Sequence, residues 1–387
     1  MFRAMSSRPK ANFNRLHLIL LLALVTIASA ARPRELFVHC SSIRLDTNCS
    51  ESSPCNSVHR AIALLQAHRQ QPTTIWIAAQ SACVEQTVLI DSAQQLTIAG
   101  QGGEALLCFA GTVGLKVQNS SLQLNSLALT NASTAVLAVD SSLQISNCSF
   151  VANQAAVSAS ANSRGLSVDV SFSTFLLNTR SAISVLRPGQ SSLVLNVAIA
   201  DTDFISNRLP TSGPILPDDG LITIGTVDFG RIDSARVVLQ RLRIIHNTQL
   251  CLARCAPSTR SRPLVLVEAA AVEITDILLQ NNHVAWKLFF SDERVVESAL
   301  FNVRSSSLTA CSCHFVNNAV TVVVPEFGGG AGGAFLGMLM HASGDSRFVD
   351  VVAVRNVVNI TVPQNNPTQI AGGLFSVAAD GALSTRW

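Results

Sequence analysis

One short pattern recurs down the chain: an apolar residue, two variable positions and an asparagine, usually followed by a new apolar run. It stands at Phe150–Asn153, Phe175–Asn178, Phe204–Asn207, Ile244–Asn247, Leu278–Asn281 and Phe315–Asn318, with weaker copies at Ala128–Asn131 and Ala353–Asn356. Successive asparagines lie 22 to 40 residues apart. A recurrence in this range marks an array in which each unit buries its apolar face on its neighbours, giving one continuous core. The asparagine has a physical reason to recur. At a sharp turn its amide tolerates the left-handed backbone region, and stacked turns let each amide donate to one neighbour and accept from another. The ladder so predicted is Asn131, Asn153, Asn178, Asn207, Asn247, Asn281, Asn318 and Asn356, with the Phe three residues earlier stacked in the core.

Short alternating strands fill the space between copies: Leu122–Leu124, Leu143–Ile145, Val168–Val170, Leu193–Leu195, Val237–Leu239, Ala182–Val185 and Leu264–Val267. Two or three brief strands per repeat, without helices or tight Asn-Gly or Asp-Gly hairpins, predict parallel β-coils and argue against a sandwich. Residues 36–110 differ. Leu36–Val38 begins extended, Ser57 is a good helix N-cap, and Val58, Ile62 and Leu65 form one apolar stripe over a helix reaching His68. Strands follow at Thr74–Ala78, Thr87–Ile90 and Gln95–Gly100. The fold class predicted is all-β, a right-handed parallel β-helix of about eight to ten coils with a short N-terminal capping helix.

Arg3, Arg8, Lys10 and Arg15, the apolar run Leu18–Ala28 and the small residues Ala28-Ser29-Ala30 read as a secretory signal peptide over residues 1–30. The run is too short for a membrane span, which needs roughly 20 residues. Cleavage turns the net charge of +3 into 23 cations against 24 anions, or −1. A near-neutral chain has no general attraction for nucleic acid or anionic membrane, so nucleic-acid binding is set aside. All ten cysteines lie beyond the signal, and an even count in an oxidising compartment favours disulfides. Five fall between Cys40 and Cys108, where a terminal cap needs stapling. Cys251 and Cys255 suit a local bridge. Cys311 and Cys313 are less easily paired with each other. A zinc site from these pairs lacks a second CxxC or His spacing, and no metal or cofactor is predicted. Sequons stand at Asn48, Asn119, Asn131, Asn147 and Asn359. Asn48 and Asn119 are the glycosylation candidates, since Asn131 is expected to point inward. Residues 31–110 thus read as a disulfide-rich cap with the first coils, and 111–387 as coils.

The segment Pro54–Ile62, followed by Ile75–Ala78 and Leu96–Gly100, resembles the N-terminal cap of right-handed parallel β-helix proteins. The Asn147–Asn153 run is similar to the coil motif of the pectin-lyase-like superfamily, nearest to the repeats of polymorphic outer-membrane-type adhesins. Gly332-Gly333-Ala334-Phe335 echoes the Gly-Gly-Ala coil start of those repeats. The resemblance covers roughly residues 36–387 as a pattern. It implies the fold, and it implies little about activity.

The polygalacturonase-like members of that fold resemble each other in an Asn-x-Asp, an Asp-Asp, a Gly-His and an Arg-x-Lys on successive coils. This chain offers only Asp218-Asp219, on a proline-rich loop where a solvated turn accounts for them. Asp201 and Asp203 lack the clustered acids a calcium-dependent lyase needs. No catalytic residues are therefore assigned. Arg236, Arg241 and Arg243 form the binding candidates, because a stacked guanidinium row meets carboxylate or sulfate bidentately. Trp286, beside Lys287 and Phe289-Phe290, offers a sugar-stacking platform. The function predicted is a secreted or cell-surface scaffold or adhesin-like module presenting loops to extracellular polysaccharide or protein. A polysaccharide lyase or glycoside hydrolase acting on an acidic polysaccharide is the alternative. The coil begun at Ala371–Val377 has no further Asn turn before Trp387, so the sequence predicts either a fragment whose membrane anchor lies downstream or end-to-end self-association.

Overall fold

The computed structural model describes residues 33–41, 48–65, 71–79, 82–187, 193–209, 220–226, 234–251, 263–287, 295–323, 333–361 and 370–379. Among these residues are 29 strands and one helix, α1 (Val58–Leu65). The strands join in a 24-stranded and a five-stranded sheet. Each strand pairs in parallel with the equivalent strand of the next coil, as Ser121–Asn125 does with Ser142–Ser146 and then Leu166–Ser171. The chain is a right-handed parallel β-helix, the hand that parallel crossovers adopt.

Three faces run the length of the stack. The first carries eleven strands in register, from Arg34–Val38 to Ser346–Val354. The second includes Leu127–Thr130, Ser149–Val151 and Thr174–Leu176. The third includes Thr134–Val139, Ala155–Ser160, Ser181–Arg187 and Ile222–Thr226. Alternation sends every second residue inward. On the first face Ile98, Leu124, Ile145, Val170, Ile199 and Leu239 stack as one buried row. Phe150, Phe175 and Phe204 stack on the second, with ring centroids 4.8 and 4.9 Å apart and planes within 8°. A single core cluster runs from Leu36 to Ala342. Each fully buried Phe or Leu contributes about 1.5–3 kcal/mol.

Asn153, Asn178, Asn207, Asn247, Asn318 and Asn356 form a ladder in which each amide bonds to the preceding coil, and those of Asn178, Asn207, Asn247 and Asn318 bond to the following one as well. Asn207 Oδ1 accepts from the backbone N–H of Asn178 at 2.9 Å and from its Nδ2 at 3.0 Å. Asn207 Nδ2 donates to Phe175 O and to Asn247 Oδ1, both at 2.9 Å. Two predicted members are corrected. Between Asn247 and Asn318 the rung is Asn282, which accepts from Asn247 N at 2.9 Å, while Asn281 precedes it with φ 55°. Asn131 is exposed at φ 58°, and Ala132 fills the rung position, its N–H bonded to Asn153 Oδ1 at 2.9 Å. The left-handed residue is thus the one before the rung: Ala152, Leu177, Ser206, His246, Asn281, Asn317 and Arg355 all have φ of 53–57°. The rung itself stays out of that region because its amide must face the core to bond two coils.

A second column of left-handed residues joins the first face to the second: Ser126, Asn147, Phe172, Asp201, Arg241, Asp276, Ser312 and Asp350. Each such residue turns the chain through a corner in one step, at roughly 1–2 kcal/mol for a residue with a Cβ. The uninterrupted ladders on either side hold it there.

At the N-terminal opening, α1 buries Val58, Ala61, Ile62 and Leu65 on the first coils. Ser57 Oγ caps it by accepting from Arg60 N at 3.2 Å. A second cap comes from another element: Glu85 Oε1 accepts from Val58 N at 2.5 Å. Burial pushes the Glu85 carboxyl up, and hydrogen bonds from the Val58 and His59 amides pull partly back. Disulfides Cys40–Cys83 and Cys49–Cys55 staple this end. Cys108 is unpaired. Ser312, at φ 53°, sends Cys311 outward and Cys313 into the core. Burial pushes the Cys148 and Cys313 thiols up to about 12. Cys255 lies outside the described residues.

Candidate functional site

The predicted arginine row does not present free cations. Arg241 Nε and Nη2 meet the Asp201 carboxylate at 2.5 and 2.7 Å, and Arg243 Nη1 lies 3.3 Å from Asp203 Oδ2. Arg236 Nη2 stands 3.9 Å from Glu273 Oε2. Asp201 is held below the usual carboxylate range by the Arg241 hydrogen bond, and Arg241 is raised by the same contact. Arg241 and Arg243, which the period of two would put on one strand face, do not share one. Arg241 is the left-handed corner residue, so Gln240 closes the first face and Arg243 opens on the second, beside Asp203. Trp286 is 4% exposed and belongs to the core cluster, so it offers no stacking surface. Asp218, Asp219, Arg254, Arg260 and Arg262 lie outside the described residues.

The described surface with the form of a site is the outer side of the first face, in its N-terminal half. Three strands repeat one outward pattern. Leu122 and Leu124 point in while Ser121, Gln123 and Asn125 point out, and Ser142, Gln144 and Ser146, then Ser167, Asp169 and Ser171, follow in register. The middle column continues through Thr97 to Thr74. Strand pairing sets these side chains about 4.8 Å apart from coil to coil, with about 6.7 Å between columns. Thr97 Oγ1 donates to Gln123 Oε1 at 3.3 Å. A groove of about 480 Å³ runs along two of the columns, lined by Thr74, Thr97, Gln123, Gln144 and Asp169 and by Ser121, Ser142 and Ser167, with Pro33 and Pro72 at its N-terminal end. A cleft of about 540 Å³ adjoins it through Pro72, Gln95 and Ser121 and reaches Asn119, Asp140 and Arg164.

The cleft is shaped by Asp140. Its Oδ1 accepts from the backbone N–H groups of Asn162, Ser163 and Arg164 at 2.6, 2.8 and 3.2 Å, and its Oδ2 from Ser163 Oγ at 2.7 Å. Burial pushes this carboxyl up, but the hydrogen bonds, those from Ser163 foremost, outweigh it and hold it below its ordinary value. Hydroxyls and primary amides, which both donate and accept, dominate the groove. Such a surface suits a ligand rich in hydroxyl groups. The pattern was present in Ser121–Asn125, Ser142–Ser146 and Ser167–Ser171, in the repetition of the outward residues as well as the inward ones.

Among the described residues, Cys40, Cys83 and Glu85 bring three metal-ligating groups together. The two sulfurs are bonded to each other and Glu85 caps α1, so these groups are already committed. Of the glycosylation candidates, Asn48 and Asn119 are exposed, and so are Asn131, Asn147 and Asn359. The inward orientation expected of Asn131 is not found.

No protein-family model matches the chain, and no curated protein matches it. A solved structure, ORF18 of Geobacillus virus E2, matches at 8% identity with a TM-score of 0.38, covering 98% of this chain and 66% of that chain's length.

Proposed function

We propose that the protein is an extracellular β-helix module, adhesin-like in role, that binds glycans along its lateral face. The observation that carries the reading is the groove of about 480 Å³ lined by Thr, Gln and Ser side chains of five consecutive coils. Secretion is supported by the leader-like residues 1–30 and by two disulfides, which persist in oxidising compartments. No helix among the described residues is long and apolar enough to cross a membrane. Kinship with the pectin-lyase-like superfamily and with outer-membrane adhesin repeats belongs to the same proposal and rests on the coil motif around Asn147–Asn153. Pairing of Arg236, Arg241 and Arg243 with acids shifts the binding surface from the arginines to the groove.

The test is a glycan array probed with the wild type and with Gln123→Ala plus Gln144→Ala. Truncating the two amides in the middle of the groove is expected to abolish or strongly weaken any glycan signal. A signal that the double variant retains in full places the binding elsewhere. Turnover of pectin, alginate or chondroitin that disappears in Asp218→Asn plus Asp219→Asn would replace this reading with an enzymatic one.

A further inference from the structure

The column beside the groove changes character at its N-terminal end. In register it reads Phe37, Trp76, Ala99, Asn125, Ser146 and Ser171. Alternation sends Leu36, Val38, Ile75 and Ile77 into the core, so Phe37 and Trp76 stand on the outer side, and both are only half-buried. Core packing does not call for large aromatics here. The next coils hold the same position with Ala99, Asn125 and Ser146.

The indole of Trp76 has its one polar group satisfied on the sheet: Nε1–H donates to Glu35 Oε1 at 3.4 Å. Glu35 pairs in register with Thr74, the first side chain of the groove column. The ring is thereby tethered toward the preceding coil at the head of the hydroxyl and amide rows. An aromatic plane next to a file of donor–acceptor side chains matches the two sides of a pyranose. Its C–H face packs on the ring, and its hydroxyls bond to amides and hydroxyls. Along Thr74, Thr97, Gln123, Gln144 and the column of Trp76, the ionisable groups are Glu35 and Asp169, with Asp140 and Arg164 in the adjoining cleft. Two carboxylates on the face itself disfavour an anionic sugar.

We infer that Trp76, with Phe37 beside it, is a stacking subsite for a neutral pyranose, and that the bound glycan extends from there along the solenoid axis over Thr97, Gln123 and Gln144. This rests on the proposed glycan-binding role of the face and adds the ligand class, its direction and its aromatic anchor.

Intrinsic fluorescence gives the readout, since the chain has three tryptophans and Trp286 is buried in the core. The full-length secreted protein is titrated with cellohexaose, xylohexaose, chitohexaose and hexagalacturonate, following tryptophan emission and calorimetry. At least one neutral hexasaccharide is expected to bind with an emission change, more tightly than its disaccharide. Trp76→Leu is expected to weaken it about tenfold, roughly what one lost aromatic contact is worth. Trp76→Phe keeps a ring and is expected to retain most of the affinity, which separates stacking from misfolding, and circular dichroism checks each variant. If Trp76→Leu binds as tightly as wild type while Gln144→Ala is weakened, the groove reading stands and the stacking subsite falls. Preference for hexagalacturonate overturns the neutral class. If the wild type binds none of the four, the inference and the reading beneath it both fall.

Discussion

Asn281 and Asn282 are adjacent and chemically identical, yet the fold gives them different work. Asn282 Oδ1 accepts from Asn247 N and its Nδ2 donates to Ile244 O at 2.8 Å and to Asn318 Oδ1 at 2.9 Å, in a site 1% exposed. Asn282→Ala leaves a buried N–H and a buried carbonyl without partners and is expected to cost about 3 kcal/mol, given 1–3 for each orphaned group. Asn281→Ala leaves the ladder whole and is expected to cost about 1 kcal/mol or less, because Asn tolerates the left-handed region better than Ala does. Urea unfolding of both variants checks the order, and equal costs would contradict the assignment of the rung. The motif alone fits either asparagine, because Leu278 and Leu279 are both apolar. Only the register of Leu279 with Phe315 on the inner row decides it.

At the scale of elements, α1 exists because a helix of eight residues is capped twice and buries one stripe. The stripe and Ser57 were legible in the sequence. Glu85 was not, since a cap supplied from 27 residues away leaves no local signal. Its pKa is raised above the ordinary 4.5, so its contribution to stability is full below that value and is lost as pH rises through the raised native value. Thermal midpoints of wild type and Glu85→Gln, compared over about pH 4 to 8, are expected to show this decline in the wild type only, because the Gln carbonyl accepts from Val58 N–H without titrating. Identical pH slopes would assign the decline to another group. The Cys40–Cys83 bridge spans 43 residues, and closing a loop of that size is worth about 4 kcal/mol in the chain-entropy account. Cys83→Ser is expected to lower the unfolding midpoint of the N-terminal coils accordingly. A midpoint unchanged from wild type would mean that the bridge constrains nothing.

Across the whole molecule, each coil touches only the coil before and the coil after it, so stability is a sum of neighbour terms. Central strands such as Leu166–Ser171 and Leu195–Ile205 have partners on both sides, and their inner residues are fully buried. Ser346–Val354 leaves Val349, Val352 and Val354 at 36–43% exposure. Hydrogen exchange is expected to be slowest in the central coils and fastest in Ser346–Val354, with the disulfides slowing the opposite end. Uniform protection along the chain would show one cooperative unit instead.

The sequence by itself determined the architecture, because a repeated Asn turn between short alternating strands leaves no other way to bury half of each coil. It carried the ladder wherever one asparagine followed one apolar anchor, and it carried the helix that covers the N-terminal opening. Tertiary structure decided what the surface does. Arg241 and Asp201 are 40 residues apart in the chain and adjacent in the stack, so a row of cations in sequence becomes a row of ion pairs in space. Ser121, Ser142 and Ser167 became one side of a groove for the same reason. Stacking brings residues a whole coil apart to within one strand spacing, and no local pattern records which side chains will meet there.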